Sequence, residues 1–140
     1  MALVVDASAL YAQADRSDPD HQAVSHLLVN EREPLVTTEL AVAEADYLIL
    51  TRLGVDVELA FMEDLASGVF SVECLTRAEL RLAREVAVRY RDLQPGLADC
   101  SLVVLAGRLN TRRIATLNVR DFRAMAPLQG GAFRLEPGDS

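Results

Sequence analysis

The chain has 140 residues, 51% of them hydrophobic, which is enough for one well-filled core and too short for two ordinary domains, so we expect a single domain over residues 1–140. Because no apolar run reaches the roughly 18 residues of a membrane span, and no basic stretch precedes an apolar one at the amino terminus, we expect no membrane helix, no secretory signal and a cytoplasmic location. The net charge of −7 argues against nucleic-acid binding over the whole surface, and the absence of lysine excludes chemistry that requires a catalytic lysine.

The first predicted element is a buried strand that ends on a carboxylate. Leu3, Val4 and Val5 form a short continuous apolar run, which is typical of a core strand in a parallel sheet. Asp6 follows directly, and Ser8 is well placed to cap the next helix. Ligands bind at this carboxyl edge in open α/β sheets, and a carboxylate among apolar residues needs a cation or hydrogen bonds. Asp6 is therefore either a ligand-binding residue or a plain helix cap.

The rest of the chain alternates between helices and strands. Turn residues and apolar periodicity predict helices over 20–30, 39–53, 56–67, 76–91, 97–109 and 119–125, and strands over 35–37, 69–75, 113–117 and 133–135. The helix over 39–53 is apolar on nearly every side and should be largely buried. Thr37 or Thr38 can cap it, and Thr76 forms a capping box with Glu79. Strands separated by helices indicate a parallel sheet with helices on both faces.

The cysteines and histidines do not indicate a zinc site. Cys74 and Cys100 have no CxxC partner, so we expect both to pack as small buried hydrophobic residues. His21 and His26 are five residues apart, which turns them away from each other on a helix.

Five of the fourteen arginines are concentrated near the end of the chain: Arg108, Arg112, Arg113, Arg120 and Arg123. A guanidinium group binds phosphate oxygens in a fork, so this cluster is a candidate for a local contact with nucleic acid. An ordinary solvated face has the same composition, and the residues alone leave both interpretations open.

Four polar side chains have related positions in the predicted sheet. Asp6 follows the first strand, Glu44 lies in the helix after the second, and Asn118 follows the fourth. Asp99 lies in the first turn of its helix and shares the apolar face, which residues that only serve the helix dipole rarely do. Carboxylates that meet in a cleft of low dielectric repel one another, and a divalent cation usually resolves this. Oxygen ligands favour Mg²⁺ or Mn²⁺, ions that commonly serve phosphoryl chemistry.

Four short segments carry a family resemblance: 5–10, 44–48, 96–100 and 115–122. In this order they resemble the motifs of the PIN-domain ribonucleases, and most of all those of the bacterial VapC toxins of type II toxin–antitoxin systems. The resemblance implies a three-layer α/β/α sandwich with a central, mostly parallel sheet of four or five strands. It also implies Mg²⁺-dependent endonucleolytic cleavage of structured RNA such as tRNA or ribosomal RNA loops, with Mn²⁺ as a substitute ion. The implied partners are a second subunit and a small antitoxin, and we expect apolar surface on the helices over 39–53 and 56–67 to be covered by one of them.

The resemblance also assigns roles to individual residues. The metal-site acids of the family fall on Asp6, Glu44 and Asp99. The fourth acidic position falls on Asn118, which departs from the family pattern and completes the implied catalytic set. Supporting residues are Ser8, Thr116 and Asp121. Candidates for binding the RNA phosphates are Arg112, Arg113 and Arg120.

Other proteins with an aspartate after the first strand fit less well. A receiver domain needs a lysine, which this chain lacks, and a haloacid-dehalogenase-type phosphatase needs a second acid where Ser8 stands. The remaining rival is a nuclease-like domain that has lost activity and binds RNA or a partner protein. Asn118 is the feature that favours this rival.

Overall fold

A central sheet of five parallel strands organises the molecule. The computed structural model describes residues 1–139. Within them the strands are β1 (Leu3–Val5), β2 (Leu35–Thr38), β3 (Ser71–Glu73), β4 (Arg113–Ala115) and β5 (Arg134–Glu136). Their order across the sheet is β3-β2-β1-β4-β5, and every neighbouring pair is parallel. The predicted parallel sheet is confirmed, with β1 at its centre.

Helices cover both faces of this sheet and give the expected α/β/α sandwich. They are α1 (Ala7–Ala14), α2 (His21–Asn30), α3 (Glu39–Leu53), α4 (Val55–Ala66), α5 (Arg77–Arg89), α6 (Gly96–Arg108) and α7 (Val119–Ala124). One core lies mainly between the sheet and α1 to α4, and the other between the sheet and α5 to α7. Within residues 1–139, none of the helices has the length and apolar character needed to cross a membrane.

Strand β1 is buried on both of its faces. Leu3 and Val5 belong to the core under α1 to α4, and Val4 belongs to the core under α5 to α7. All three side chains are 0% exposed, and burial of side chains of this size contributes about 1.5 to 3 kcal/mol each. The strand is therefore held firmly in the centre of the molecule, and it places Asp6, the next residue, in a water-poor position.

Two predictions about burial are wrong. Helix α3 buries Ala41, Ala45 and Ile49, but Tyr47 is 67% exposed on its other side. Helix α3 is thus buried on one side only, and its other apolar side is exposed. Cys100 is buried as predicted, whereas Cys74 is exposed.

Candidate metal and catalytic site

Asp6 is the buried centre of the site. Its Oδ1 accepts hydrogen bonds from Ser8 Oγ at 2.7 Å and from the Ala9 amide at 2.9 Å, and its Oδ2 accepts one from the Thr116 hydroxyl. Asp6, and not Ser8, is the N-cap of α1, which corrects the prediction for Ser8. Because a carboxylate offers about four acceptor positions, one remains free, on Oδ2. Asp6 can therefore cap its helix and still contribute an oxygen to a ligand.

The hydroxyl groups of Ser8 and Thr116 join the ends of β1 and β4. Ser8 Oγ accepts a hydrogen bond from the Leu117 amide at 2.9 Å, and Thr116 Oγ1 accepts one from the Asn118 amide at 2.8 Å. Each hydroxyl thus receives a backbone proton and donates its own to Asp6. Burial raises the pKa of Asp6, and these hydrogen bonds act in the opposite direction by stabilising the charged form.

Asp99 carries the clearest electrostatic signature in the site. Its pKa is raised to about 7, mainly by burial and additionally by the negative charges of Asp6, Glu44 and Asp121. Coulomb repulsion weakens with distance, so side chains that act on Asp99 in this way share its surroundings. Glu44 also raises the pKa of Asp6. Asp6 is buried, Asp99 is partly buried and Glu44 is exposed, which places Glu44 at the mouth of the cleft.

Asn118 lies between two of these carboxylates. Its Nδ2 donates to Asp121 Oδ2 at 3.0 Å and to Asp99 Oδ2 at 3.3 Å. Asp121 lies in the first turn of α7, where the helix dipole favours an acid. It also accepts a hydrogen bond from Asn118, and its charge acts on Asp99. The charge that Asn118 lacks is therefore supplied next to it, by Asp121.

No basic side chain within residues 1–139 neutralises this group of acids. The ion pairs of the described chain involve other residues, and none includes Asp6, Glu44, Asp99 or Asp121. Oxygen donors without sulfur or imidazole suit Mg²⁺ or Mn²⁺. In residues 1–139 no three acidic, histidine or cysteine side chains already stand close enough to hold an ion together. The donor chemistry fits a divalent cation, and binding one would require side-chain movement.

Two of the three arginines predicted to bind RNA are committed elsewhere. Arg113, the first residue of β4, forms ion pairs with Glu31 and Glu136 and donates to the Met1 carbonyl. Arg112 Nε donates to the Gly130 carbonyl at 2.7 Å. Both lie at the amino end of β4, whereas the acids follow the carboxyl ends of the strands. These bonds and this placement do not favour phosphate binding by Arg112 and Arg113, which stays a prediction.

Arg120 has a different position from Arg112 and Arg113. It is exposed in the first turn of α7, between Asn118 and Asp121 in sequence. Within residues 1–139 it forms no ion pair. Arg120 is thus the predicted RNA-binding arginine that lies beside the site.

One pair of residues near the acids could not be identified from the sequence. Thr38 caps α3, as the sequence allowed, but its hydroxyl also contacts Ser101 Oγ at 2.8 Å. Ser101 lies on the buried run of α6 that begins at Cys100. The available signal was a lone hydroxyl in an apolar helix segment directly after Asp99, and such a residue predicts no partner by itself.

Comparisons with known proteins identify the family. No family model matches the chain. Ribonuclease VapC26 of Mycobacterium tuberculosis is 42% identical over 135 residues, which is 96% of this chain and 100% of that protein.

Three solved structures share the fold. VapC20 of Mycobacterium tuberculosis, a sarcin-ricin loop cleaving toxin, has a TM-score of 0.80 at 20% identity and covers 87% of this chain and 94% of its own. VapBC2 of Rickettsia felis, bound to a DNA fragment from its promoter, has a TM-score of 0.69 at 12% identity, with coverages of 96% and 98%. FitAcB of Neisseria gonorrhoeae has a TM-score of 0.64 at 17% identity, with coverages of 94% and 96%. At these identities the three structures support the fold, and the 42% identity to VapC26 over nearly the whole chain supports the family. The chain belongs to the VapC endoribonuclease toxins.

Proposed function

We propose that this chain cleaves structured RNA by metal-dependent hydrolysis, with Mg²⁺ as the cofactor and Mn²⁺ as a substitute. The observation that supports this most strongly is the group of acids without a basic partner around Asp99, whose pKa is raised to about 7. Carboxylates held together in this way destabilise the folded chain, and strongly shifted groups concentrate at functional sites. A cation would remove the repulsion, and a phosphodiester would bind to it.

Asp6, Glu44 and Asp99 would hold the ion, with Asp121 as the fourth acid. Bound Mg²⁺ supplies positive charge that stabilises the charge building up on the phosphate during hydrolysis. The chain contributes by fixing its ligands. Ser8 and Thr116 orient Asp6 through their hydroxyl protons. Asn118, through its two amide contacts, keeps the carboxylates of Asp99 and Asp121 in place.

Incubation with RNA tests the proposal directly. Purified protein is mixed with total RNA and Mg²⁺, new RNA ends are mapped, and the reaction is repeated with EDTA. We expect discrete cleavage sites that disappear with EDTA and in Asp99→Asn. Asp20→Asn is the matched control, since Asp20 is exposed and its side chain makes no capping hydrogen bond to α2. Absence of both cleavage and metal binding in the wild-type protein would favour the rival, a domain that binds RNA or protein without cutting.

The proposed substrates are loops of tRNA or ribosomal RNA. The net charge of −7 limits RNA contact to a small area, which suits recognition of one exposed loop better than binding along a duplex. VapC20, which shares the fold, cleaves the sarcin-ricin loop. Isolated tRNA and a ribosomal RNA fragment containing that loop are therefore the first substrates to test.

We assign the antitoxin to a groove between α1, α2 and α4. Its volume is about 720 Å³. The floor includes Leu10, Phe61 and Phe70, and acidic residues such as Asp56 and Asp64 line it, so the groove suits an amphipathic segment with basic side chains. Ala60 is an exposed residue of the same lining, and Ala60→Arg should prevent antitoxin binding without reducing RNA cleavage.

We assign the second subunit of a homodimer to the exposed apolar residues of α3 and α4. Tyr47 and Leu50 of α3 and Leu59 and Met62 of α4 are between 42% and 67% exposed. Large apolar side chains concentrated on two adjacent helices are typical of a surface that a partner covers.

A further inference from the structure

A chain of buried hydroxyl groups connects the two helices that carry Glu44 and Asp99. Thr38, the last residue of β2, caps α3 by accepting a hydrogen bond from the Ala41 amide at 3.1 Å. Its hydroxyl lies 2.8 Å from Ser101 Oγ, and Ser101 Oγ donates to the Ala98 carbonyl at 2.6 Å. Thr38 and Ser101 are both 0% exposed.

The direction of these hydrogen bonds follows from the number of protons. A serine hydroxyl has one proton, and Ser101 donates it to Ala98. The contact between the two hydroxyls therefore needs the proton of Thr38. Thr38 in turn accepts from Ala41. Every hydroxyl thus donates once and accepts once, and the line runs without a gap from the first turn of α3 to the first turn of α6.

This line of hydrogen bonds ends beside the acids. Ala98 is the residue before Asp99, and Glu44 lies on the helix that Thr38 caps. The charge of Glu44 acts on Asp99, so the helices must hold the two carboxylates near each other against their repulsion. Ala41 of α3 shares an apolar core with the buried residues of α6. Hydrogen bonds have narrow distance and angle requirements, so the Thr38–Ser101 contact fixes the relative position of the two helices.

We propose that Thr38 and Ser101 are positioning residues that set the separation of Glu44 and Asp99 for metal binding. The inference rests on the proposed function, because it assigns these two acids to one ion. Hydrogen-bonding residues behind metal ligands commonly change metal affinity by about 10- to 100-fold. Thr38 and Ser101 contact neither carboxylate, so they act only through the placement of the helices.

The test compares Mn²⁺ affinity, measured by calorimetry, across matched variants. Thr38→Val and Ser101→Ala should each weaken binding about tenfold. The double variant should bind Mn²⁺ about as weakly as the more strongly affected single variant, since both changes break the same line of hydrogen bonds. Thr38→Ser keeps the hydroxyl and should retain most of the affinity.

Thr111→Val is the control for a merely structural effect. Thr111 is also 0% exposed, and its hydroxyl donates to the Ala2 carbonyl at 2.7 Å and accepts from the Arg113 amide at 3.2 Å, after the other end of α6. The Thr111→Val variant should have its urea midpoint lowered about as much as Thr38→Val, while its Mn²⁺ affinity stays unchanged. Wild-type affinity in Thr38→Val, or an equal loss in Thr111→Val, would overturn the proposal.

A measurement without metal separates this inference from the proposed function. Asp99→Asn removes the repulsion with Glu44. At pH 8 in EDTA, the variant should therefore have a higher urea midpoint than the wild-type protein. In the Thr38→Val background, where the helices are free to move apart, the gain should be smaller. Equal gains in both backgrounds would refute the positioning role. A wild-type protein that binds no Mn²⁺ would refute the proposed cofactor, and the comparison in EDTA would still decide the role of Thr38.

Discussion

Replacement of Asp99 by asparagine should change how the stability of the metal-free protein depends on pH. The pKa of Asp99 is raised from an ordinary value of 3.8 to about 7. At about 1.36 kcal/mol per pKa unit this corresponds to roughly 4 kcal/mol. Because Asp99 is only partly buried, solvent screening reduces this, and we expect about 2 kcal/mol.

The sign follows from proton binding. Between pH 3.8 and about 7, folded Asp99 holds a proton that the unfolded chain has released. Its contribution to stability is therefore complete below pH 3.8 and is lost as the pH rises through about 7. Asparagine does not titrate, so Asp99→Asn loses no stability at this position over this pH range. Its free energy of unfolding should exceed that of the wild type by about 2 kcal/mol at pH 8 and by less at pH 5.

Urea unfolding in EDTA at several pH values between 5 and 8 measures this difference. The same series with Asp20→Asn provides the baseline for loss of an exposed carboxylate. If the difference in stability between wild type and Asp99→Asn does not change with pH, the pKa of Asp99 is not raised by burial and by the neighbouring charges as we derive. If Asp99→Asn is less stable at every pH, Asp99 is a structural residue and its role in the site is refuted.

Three further predictions concern the ion, the RNA and the dimer. Asn118→Asp adds a charge beside the site, so it should tighten Mn²⁺ binding about tenfold, or ~1.4 kcal/mol, in calorimetry. Equal affinities would show that residue 118 does not face the ion. Arg120→Gln should weaken RNA binding and lower its salt slope by about 1, whereas Arg112→Gln should change neither. Leu59→Glu should convert a dimer to a monomer in sedimentation velocity, and an unchanged dimer would exclude the surface of α3 and α4.

The parts of the fold that depend on residues close together in the sequence could be predicted. The run Leu3–Val5 indicated a central strand because an apolar segment of this kind has to be buried on both faces, and the structure confirms it. The capping box of Thr76 and Glu79 is present in full, since both of its bonds lie within one turn. The exposed side of α3 could not be predicted, because apolar residues that pack in a core and apolar residues that await a partner have the same composition.

The candidate site divides in the same way. Asp6 and Asp99 were selected because one lies at a strand end and the other on an apolar helix face, whereas Glu44 was selected from its helix after the second strand and from the family resemblance. The engagement of Arg113 could not be foreseen, since Glu31 is 82 residues away in sequence and no local pattern links them. The contact between Thr38 and Ser101 spans 63 residues and was missed for the same reason.

The acidic residues of the site lower the stability of the folded protein. Two carboxyl groups, the buried Asp6 and the partly buried Asp99, have raised pKa values, and the bonds around Asp6 offset only part of the cost of its burial. A chain selected for stability alone would have apolar residues at these positions, like the buried apolar run Leu102–Ala106 in α6 of this protein. The hydroxyl groups of Ser8 and Thr116 instead donate to Asp6, and in our proposal Thr38 and Ser101 position the helices that carry Glu44 and Asp99. This pattern is expected where the charges are needed for binding and the fold must tolerate them until a cation arrives.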